Sequence, residues 1–265
     1  MSPESVELSA SLIEPVVGNI SGMRLVAVAS GKGGVGKSTV SLGLARALAG
    51  RDRSVGLLDA DIYGPDIPLM LGLKQTRELD RWELGRSPRF GRVELDPVEI
   101  VGIKVMSVGF LLAERQMFAM PAVLASLVGD QLVKSVRWGA LDYLVVDLPP
   151  GTADLQQHVL ATMGLAGAII VVGPQDAAHL DARKVLALLR DADVKVIGAV
   201  ENMRGLRCPH CGETLDVFPP VAEERSLLRD VDLLVSIPLD PVFATINGIP
   251  PQFDELAMRV EERLA

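Results

Sequence analysis

Short apolar runs alternate along the chain with stretches whose apolar residues recur at helical spacing. Short runs without polar alternation are typical of strands that are buried on both faces. Such runs cover residues 25–29, 55–58, 143–148, 168–172, 194–200 and 233–237, and a strand pair is expected within 98–110. Helical spacing covers residues 40–49, 121–136, 176–190 and 253–264, and a short helix should end near Gly72.

This alternation predicts strand–helix–strand units with right-handed crossovers. The expected fold is therefore α/β, with three layers: a mostly parallel central sheet flanked by helices. A composition of 49% hydrophobic but only 4% aromatic residues agrees with that class. Residues 1–23 show no clear period and are expected to form a loosely held N-terminal arm, whereas 24–265 should form a single domain because no linker interrupts them.

The segment that follows the first strand has the spacing of a phosphate-binding loop. It reads G-x-x-x-x-G-K-S from Gly31 to Ser38, between a predicted strand and a predicted helix. Glycines let backbone N–H groups curl round an anion, and the helix N-terminus adds its positive dipole end. We expect Lys37 to reach the β- and γ-phosphates and Ser38 to coordinate Mg²⁺. The nucleotide should be cradled by Gly31, Lys32, Gly33, Gly34, Val35, Gly36, Lys37, Ser38 and Thr39.

Two further strands end in carboxylates. Asp59 and Asp61 follow the second strand, and ligands bind at this carboxyl edge in open parallel sheets. Asp61 could orient the attacking water and Asp59 could hold a water of the Mg²⁺ shell, although either acid taken alone could be a cap. Asp147 ends a run with the Walker B pattern and could hold the Mg²⁺ hydration shell.

Two more segments could complete a nucleotide site. The rigid turn with Pro150 and Gly151 follows the Walker B run, and it would let a backbone N–H approach the γ-phosphate as a switch. Asn202 follows the strand at 194–200 and could hydrogen-bond a purine ring, or simply form a turn.

Both cysteines of the chain, Cys208 and Cys211, lie in one C-x-x-C. Two thiols at this spacing can chelate one metal, but closed thiolate sites take four ligands. Three interpretations stay open: a homodimer pools two pairs around an iron–sulfur cluster or Zn²⁺, another residue such as His210 completes the site, or the pair is a redox dithiol.

Net charge and processing signals limit which cellular compartment and which classes of partner are expected. A net charge of -8 and a pI near 5.0 argue against nucleic acid or an anionic membrane as the main partner. The N-terminal residues lack a signal-peptide pattern, the longest apolar run is too short to span a bilayer, and the cysteines offer no disulfide framework. We therefore expect a cytoplasmic protein.

Together these motifs resemble the Mrp/ApbC family of iron–sulfur cluster carrier ATPases, part of the deviant Walker A group of P-loop NTPases that includes MinD and ParA proteins. The resemblance rests on residues 30–39, 59–68, 107–111, 138–152, 200–203 and 208–212. The phosphate loop alone indicates only the wider group. The Asp-Ile-Tyr-Gly-Pro and Cys-Pro-x-Cys-Gly motifs indicate the narrower family.

The resemblance implies roles that the residues alone do not give. Lys32 would contact nucleotide across a face-to-face homodimer, and Asn202 and Pro238 would lie near the adenine of ATP. Cys208 and Cys211 would bind a four-iron, four-sulfur cluster shared between subunits, which is passed on to apo iron–sulfur proteins.

Three departures from the family pattern stand at residues 116–121, at residues 218–222 and at Gly43, where Asn is common. None of them changes the expected nucleotide or cysteine residues. The predicted function is an ATP-hydrolysing cluster carrier or scaffold. The alternatives are a MinD- or ParA-like regulatory or positioning ATPase with structural zinc at the C-x-x-C, and a metallochaperone for another metal.

Overall fold

A computed structural model describes residues 22–62, 64–73, 95–110, 136–151, 156, 160, 163–240 and 250–265. The strands in this part of the chain are β1 (Arg24–Ser30), β2 (Val55–Asp59), β3 (Val98–Ile100), β4 (Ile103–Ser107), β5 (Tyr143–Asp147), β6 (Gly167–Val172), β7 (Val196–Arg207), β8 (Thr214–Leu215) and β9 (Leu233–Leu239). The helices are α1 (Lys37–Gly50), α2 (Ile67–Met70), α3 (Asp176–Asp191) and α4 (Gln252–Leu264).

The described strands form one sheet in the order β3-β4-β2-β5-β1-β6-β7-β8, and β9 also pairs with β7. The pairs β3–β4 and β7–β8 are antiparallel, and the other pairs are parallel. Strands β2, β5 and β6 are buried along their whole length, as their unbroken apolar runs predict. The prediction of a mostly parallel sheet is confirmed.

Helices cover both faces of this sheet. The chain passes from β1 through α1 to β2 in one direction along the sheet, and from β6 through α3 to β7 in the opposite direction. Crossovers of this kind are right-handed, so α1 and α3 lie on opposite faces. The predicted three-layer architecture follows from these two crossovers.

Helix α4 packs on α1 through an unusually close contact. The ring of Phe253 lies against Gly43, and a β-carbon at residue 43 would overlap the ring. Phe253 is itself fully buried. The departure from the family pattern at Gly43 therefore makes room for an aromatic side chain of the C-terminal helix.

The structure extends one predicted strand. The apolar run at 194–200 predicts a strand that ends at residues 201–203, but β7 continues to Arg207. Its last residues pair with β8, so the segment that contains the cysteines is the turn of a hairpin. The sequence after Gly212 has the polar character of a loop, but Thr214 and Leu215 form β8.

Several predictions fall on other parts of the chain. The strand pair within 98–110 is confirmed as β3 and β4. The N-terminal arm up to residue 21, the predicted helix at 121–135 and the departure at 116–121 lie outside the described residues. Val136, the expected end of that helix, instead forms an isolated parallel bridge with Leu95. None of the described helices is both long and apolar enough to cross a membrane.

Candidate functional site

The glycine-rich loop lies between β1 and α1, at the carboxyl edge of the sheet where the two crossover directions diverge. Such switch points are where α/β sheets bind ligands. Gly34 and Gly36 have φ of 79° and 82°, a region that side chains other than glycine rarely enter. Gly31 lies directly against the backbone of Asp181 and Ala182 in α3, so a β-carbon there would clash.

The N-terminus of α1 presents backbone N–H groups that have no partner within the helix. Helix α1 begins at Lys37 with no side-chain cap among the described residues, and its first i→i−4 bond is donated by Val40 to Gly36. The N–H groups of Lys37, Ser38 and Thr39 therefore lack a helical partner, which is the arrangement that binds anions. Around them, Gly33 and Gly34 are exposed, Val35 is buried and Lys32 is half-buried.

Lys37 lies among carboxylates. Its Nζ is 2.9 Å from Oδ1 of Asp147 and 3.5 Å from Oδ2 of Asp61. Burial lowers the pKa of Lys37, but the charges of Asp147 and Asp61 outweigh it, so that the net pKa is raised. The side chain is a buried cation positioned where a triphosphate could take over its charge pairing.

Asp147 joins the phosphate loop to the sheet. Its Oδ2 accepts a hydrogen bond of 2.7 Å from the Ser38 hydroxyl, and its Oδ1 accepts one of 2.7 Å from the Ser41 hydroxyl. A hydroxyl and a carboxylate oxygen in contact are the donor set that suits Mg²⁺ with its retained waters. Ser38 and Asp147 therefore fit the predicted metal position.

The two acids after β2 have different surroundings. Asp59 is fully buried, and it accepts hydrogen bonds from the Ser107 hydroxyl at 2.8 Å and from the Asp61 N–H at 3.2 Å. Burial, followed by the charge of Asp147, raises the pKa of Asp59 well above its usual value despite the Ser107 bond and Lys37. Asp59 therefore keeps its proton to a higher pH than an exposed aspartate does.

Asp61 is better placed to hold a water. Burial raises the pKa of Asp61, and the charge of Lys37 opposes this rise. Its Oδ1 is buried without a hydrogen-bond partner among the described residues. A buried acceptor that lacks a partner is costly, and it suits a bound water or ligand donor.

The turn after β5 also contacts the loop. Pro150 lies 4.0 Å from the position of a β-carbon on Gly33. Gly151 has φ of 83°, and its N–H donates to the Ser30 carbonyl at 2.9 Å. The structure therefore brings the turn to the loop, but the Gly151 N–H bonds to protein rather than pointing freely towards a phosphate.

Asn202 and Pro238 lie on neighbouring strands beside the loop. Asn202 is buried, and its Nδ2 donates to the Val35 carbonyl at 2.8 Å. In the β7–β9 register Asn202 is opposite Ile237, which places Pro238 next to that row. The amide is bonded to the loop in this structure, and its contact with a purine ring stays a prediction.

The cysteines occupy the turn between β7 and β8. The N–H of Cys208 donates to the Glu213 carbonyl at 2.8 Å, and the N–H of Gly212 donates to the Cys208 carbonyl at 2.9 Å. Gly212 has φ of 77°, which glycine adopts readily, and this allows residues 208–212 to form a tight turn that we call the knuckle. Backbone N–H groups of Cys211 and then His210 lower the pKa of Cys208, as does the Cys211 thiol. A lowered pKa favours the thiolate, the form that binds metals.

The knuckle offers two sulfur ligands. Cys211 is exposed and Cys208 is half-buried. No group of three or more histidine, cysteine, aspartate or glutamate side chains within the described ranges could hold a metal ion. Completion of a four-ligand site therefore requires ligands other than those the described part of one chain brings together.

Comparison with known proteins places these motifs in a family. A family model described as ParA, NUBPL iron-transfer P-loop NTPase, matches residues 22–253. The chain belongs to this family. The name ParA in that description is also the name of a protein type in the wider group that the phosphate loop indicated.

Individual relatives agree with that assignment. The chain is 42% identical to the iron–sulfur cluster transfer protein NUBPL of Mus musculus over 83% of this chain and 67% of NUBPL. It is 40% identical to the iron–sulfur cluster carrier protein of Pyrococcus abyssi, over 81% of this chain and 74% of that protein. One solved structure is a nucleotide-binding protein from Archaeoglobus fulgidus in complex with ADP, in which cobalt was found. It is 32% identical to this chain with a TM-score of 0.67, and the match covers 91% of this chain and 90% of that protein.

Two serines belong to the site although the sequence patterns assigned neither of them a role. Ser41 is one helical turn after Lys37, and this i, i+4 spacing could have placed both on the face towards Asp147. Ser107 closes β4 opposite Asp59 in the β2–β4 register. Only the pairing of β2 with β4 brings Ser107 to Asp59, and a single sequence does not state that pairing.

Proposed function

We propose that the chain is a Mg²⁺-dependent ATPase that carries an iron–sulfur cluster and delivers it to apoproteins. The observation that carries the proposal is the knuckle, whose two thiols follow directly after β7, the strand that contacts the phosphate loop through Asn202. The names of the relatives, a cluster transfer protein and a cluster carrier protein, support the same cargo.

The cluster is bound between two copies of the chain. Four thiolates hold a four-iron, four-sulfur centre, and each chain contributes Cys208 and Cys211. A homodimer therefore supplies the full ligand set. The same dimer brings Lys32 of one copy towards the nucleotide of the other. We include a single NTPase domain over 24–265 and a cytoplasmic location in the proposal.

Hydrolysis uses the buried cluster of charges at the loop. Lys37 would neutralise the β- and γ-phosphates, and Ser38 with Asp147 would hold Mg²⁺, which supplies Lewis-acid stabilisation of the developing charge. Asp61 would accept a hydrogen bond from the attacking water at Oδ1, which lacks a partner within the described ranges, and so orient that water. Asp59 would line the site beside the metal, and Asn202 would line it beside the purine ring.

Replacement of Asp61 tests this division of roles. Asp61→Ala should keep ATP binding, because the loop donors and Lys37 remain, but lower the hydrolysis rate about a hundredfold or more. Single-turnover hydrolysis and a separate nucleotide-binding titration would measure the two effects. An unchanged rate would remove Asp61 from its assigned role.

Anaerobic reconstitution with ferrous iron and sulfide tests the cargo. The full chain should turn brown, with about four irons and four sulfides per two chains. Cys208→Ala and Cys211→Ala should each lose the cluster, whereas His210→Ala, in the same knuckle, should keep it. A colourless protein that holds zinc tightly after the same treatment would instead favour the regulatory ATPase with structural zinc.

A further inference from the structure

Strand β7 connects the phosphate loop to the cysteine knuckle. Near its middle, Asn202 donates to the Val35 carbonyl at 2.8 Å, and its side chain fills the space where a β-carbon on Gly36 would lie. The Met203 methyl group is 3.6 Å from the same position. The strand and the loop are therefore in close contact, and a displacement of one must displace the other.

Between this contact and the knuckle, β7 departs from strand geometry. Met203 has φ of 60° and Gly205 has φ of 77°. On β9, Ile237 and Leu239 lie opposite Asn202 and Leu206, so β7 carries a bulge between these two pairs. A left-handed backbone at a methionine costs free energy, and such strain persists only where surrounding contacts impose it.

The bulge also supports the knuckle hairpin. A β-carbon on Gly205 would lie 2.7 Å from the Thr214 side chain and 2.9 Å from the Leu215 carbonyl. Directly after the bulge, Leu206 and Arg207 pair with β8. The hairpin that carries the cysteines therefore packs against the bulge, and the start of the bulge packs against the phosphate loop.

We propose that Met203 is a positioning residue whose strained conformation transmits the nucleotide state of the loop to the cysteine hairpin. When the loop closes on a triphosphate, the Val35 carbonyl and Gly36 shift, and Asn202 shifts with them. The bulge absorbs that shift as a change in backbone angles, and the hairpin turns relative to the sheet. This inference rests on the proposed function and names how its cysteine site is regulated.

Thiol reactivity measures the coupling without a cluster. The reduced full chain is treated with iodoacetamide, with and without a saturating non-hydrolysable Mg·ATP analogue, and the alkylation rates of Cys208 and Cys211 are compared. We expect the analogue to change the rates by about fivefold or more, the size typical of coupling between two sites. In Met203→Gly the left-handed conformation is no longer strained. The ratio of the alkylation rates with and without saturating analogue should therefore approach one.

Val101→Gly is the matched control. Val101 also has positive φ, 47°, but lies in the β3–β4 turn at the far edge of the sheet. It should keep the ratio of the parent chain. Gly205→Ala is the second variant: its β-carbon pushes Thr214 and Leu215 away, so the thiol rates should shift without nucleotide and no longer respond to it.

Two results would overturn the inference. One is a parent chain that binds the analogue with unchanged thiol rates, and the other is a folded Met203→Gly variant with the parental ratio. Both are distinct from failure of the proposed function, which appears as failure to assemble a cluster during reconstitution.

Discussion

Lys37 lies in the field of three buried carboxylates, those of Asp59, Asp61 and Asp147. The two acids with raised pKa values reduce this excess of negative charge by holding protons more tightly. Arrival of Mg²⁺ adds positive charge beside Asp147 and favours the ionised forms. Proton release should therefore accompany metal binding at this site.

Asp59→Asn tests the buried proton. Because the folded pKa of Asp59 is raised, the folded chain binds more protons than the unfolded chain between the two pKa values. The unfolding free energy that Asp59 contributes therefore falls as pH rises across that interval. The variant cannot ionise, so its stability relative to the parent should increase as the pH rises above about 4, the pKa of an unfolded aspartate, in urea titrations at a series of pH values.

Asp96→Asn should change the pH dependence of stability in the opposite direction. The hydrogen bond from Arg137 lowers the pKa of the exposed Asp96, so this carboxylate contributes stability that is present at higher pH. Its replacement should make the variant slightly less stable than the parent as pH rises. A relative stability of Asp59→Asn that does not change with pH would show that Asp59 carries no raised pKa.

Ser41→Ala removes one of the two hydroxyls on Asp147. The hydroxyl is buried and bonds to a charged oxygen, so the unfolding free energy should drop by about 1–3 kcal/mol. The carboxylate then loses a constraint that orients it to Ser38, and half-maximal hydrolysis should require more Mg²⁺. A metal titration of the ATPase rate measures this, and an unchanged Mg²⁺ requirement would leave Ser41 a purely structural role.

At the scale of elements, the sequence predicted the sheet better than its edges. Apolar runs indicate β2, β5 and β6 because a strand that is buried on both faces is apolar along its whole length, whichever strands it pairs with. The second half of β7 is polar and contains turn formers, so its local preference ends the strand near residue 203. Pairing with β8 and β9 continues it to Arg207, and such pairing energy is not local.

The same distinction applies to the candidate site. The loop from Gly31 to Thr39 is contiguous, so its spacing alone predicts its geometry. The contacts of Asp59 with Ser107 and of Asn202 with Val35 join distant segments, and they depend on strand order and register. Residue types at strand ends indicated the acids, but nothing local indicated their partners.

The α1–α4 contact gives an element-scale prediction. In Gly43→Ala the new methyl group meets the Phe253 ring, and overpacking of this kind should lower the unfolding free energy by about 1–3 kcal/mol. The double variant with Phe253→Leu should recover part of the loss. Urea denaturation with a double-mutant cycle measures both.

Gly50→Ala, at the end of the same helix, is the control. A β-carbon at residue 50 meets no described atom within 4 Å, so alanine should stabilise the helix by about 0.5–1 kcal/mol. If both glycine variants lower the unfolding free energy alike, the Phe253 contact is not the cause.

At the scale of the whole molecule, the proposed dimer requires residues on the rim of the phosphate loop that a second chain can reach. Lys32 is half-buried on the rim of the loop and forms no ion pair with a carboxylate in the described ranges. Glycines Gly33 and Gly34 beside it are exposed. These features suit a lysine whose charge is paired across a dimer.

Lys32→Ala should therefore separate nucleotide binding from dimer formation. Sedimentation with a non-hydrolysable ATP analogue should show nucleotide-induced dimers for the parent chain. We expect the dissociation constant of the variant dimer to rise about thirtyfold or more, since truncating a charge paired in an interface costs about 2 kcal/mol or more. Lys184→Ala, an exposed lysine paired with Asp181 on α3, should behave as the parent does.

In the proposed coupling, the bulge at Met203 would be the point about which the cysteine hairpin rotates. A strand advances about 3.3 Å per residue, so the cysteine tip lies roughly 15–20 Å from the pivot along β7 and its hairpin. A rotation of about 10° there would displace the tip by about 3 Å, which exceeds the 2.3 Å of a typical metal–sulfur bond. Angular changes too small to disturb the core of the sheet are therefore large enough to make or break ligation at the cysteines.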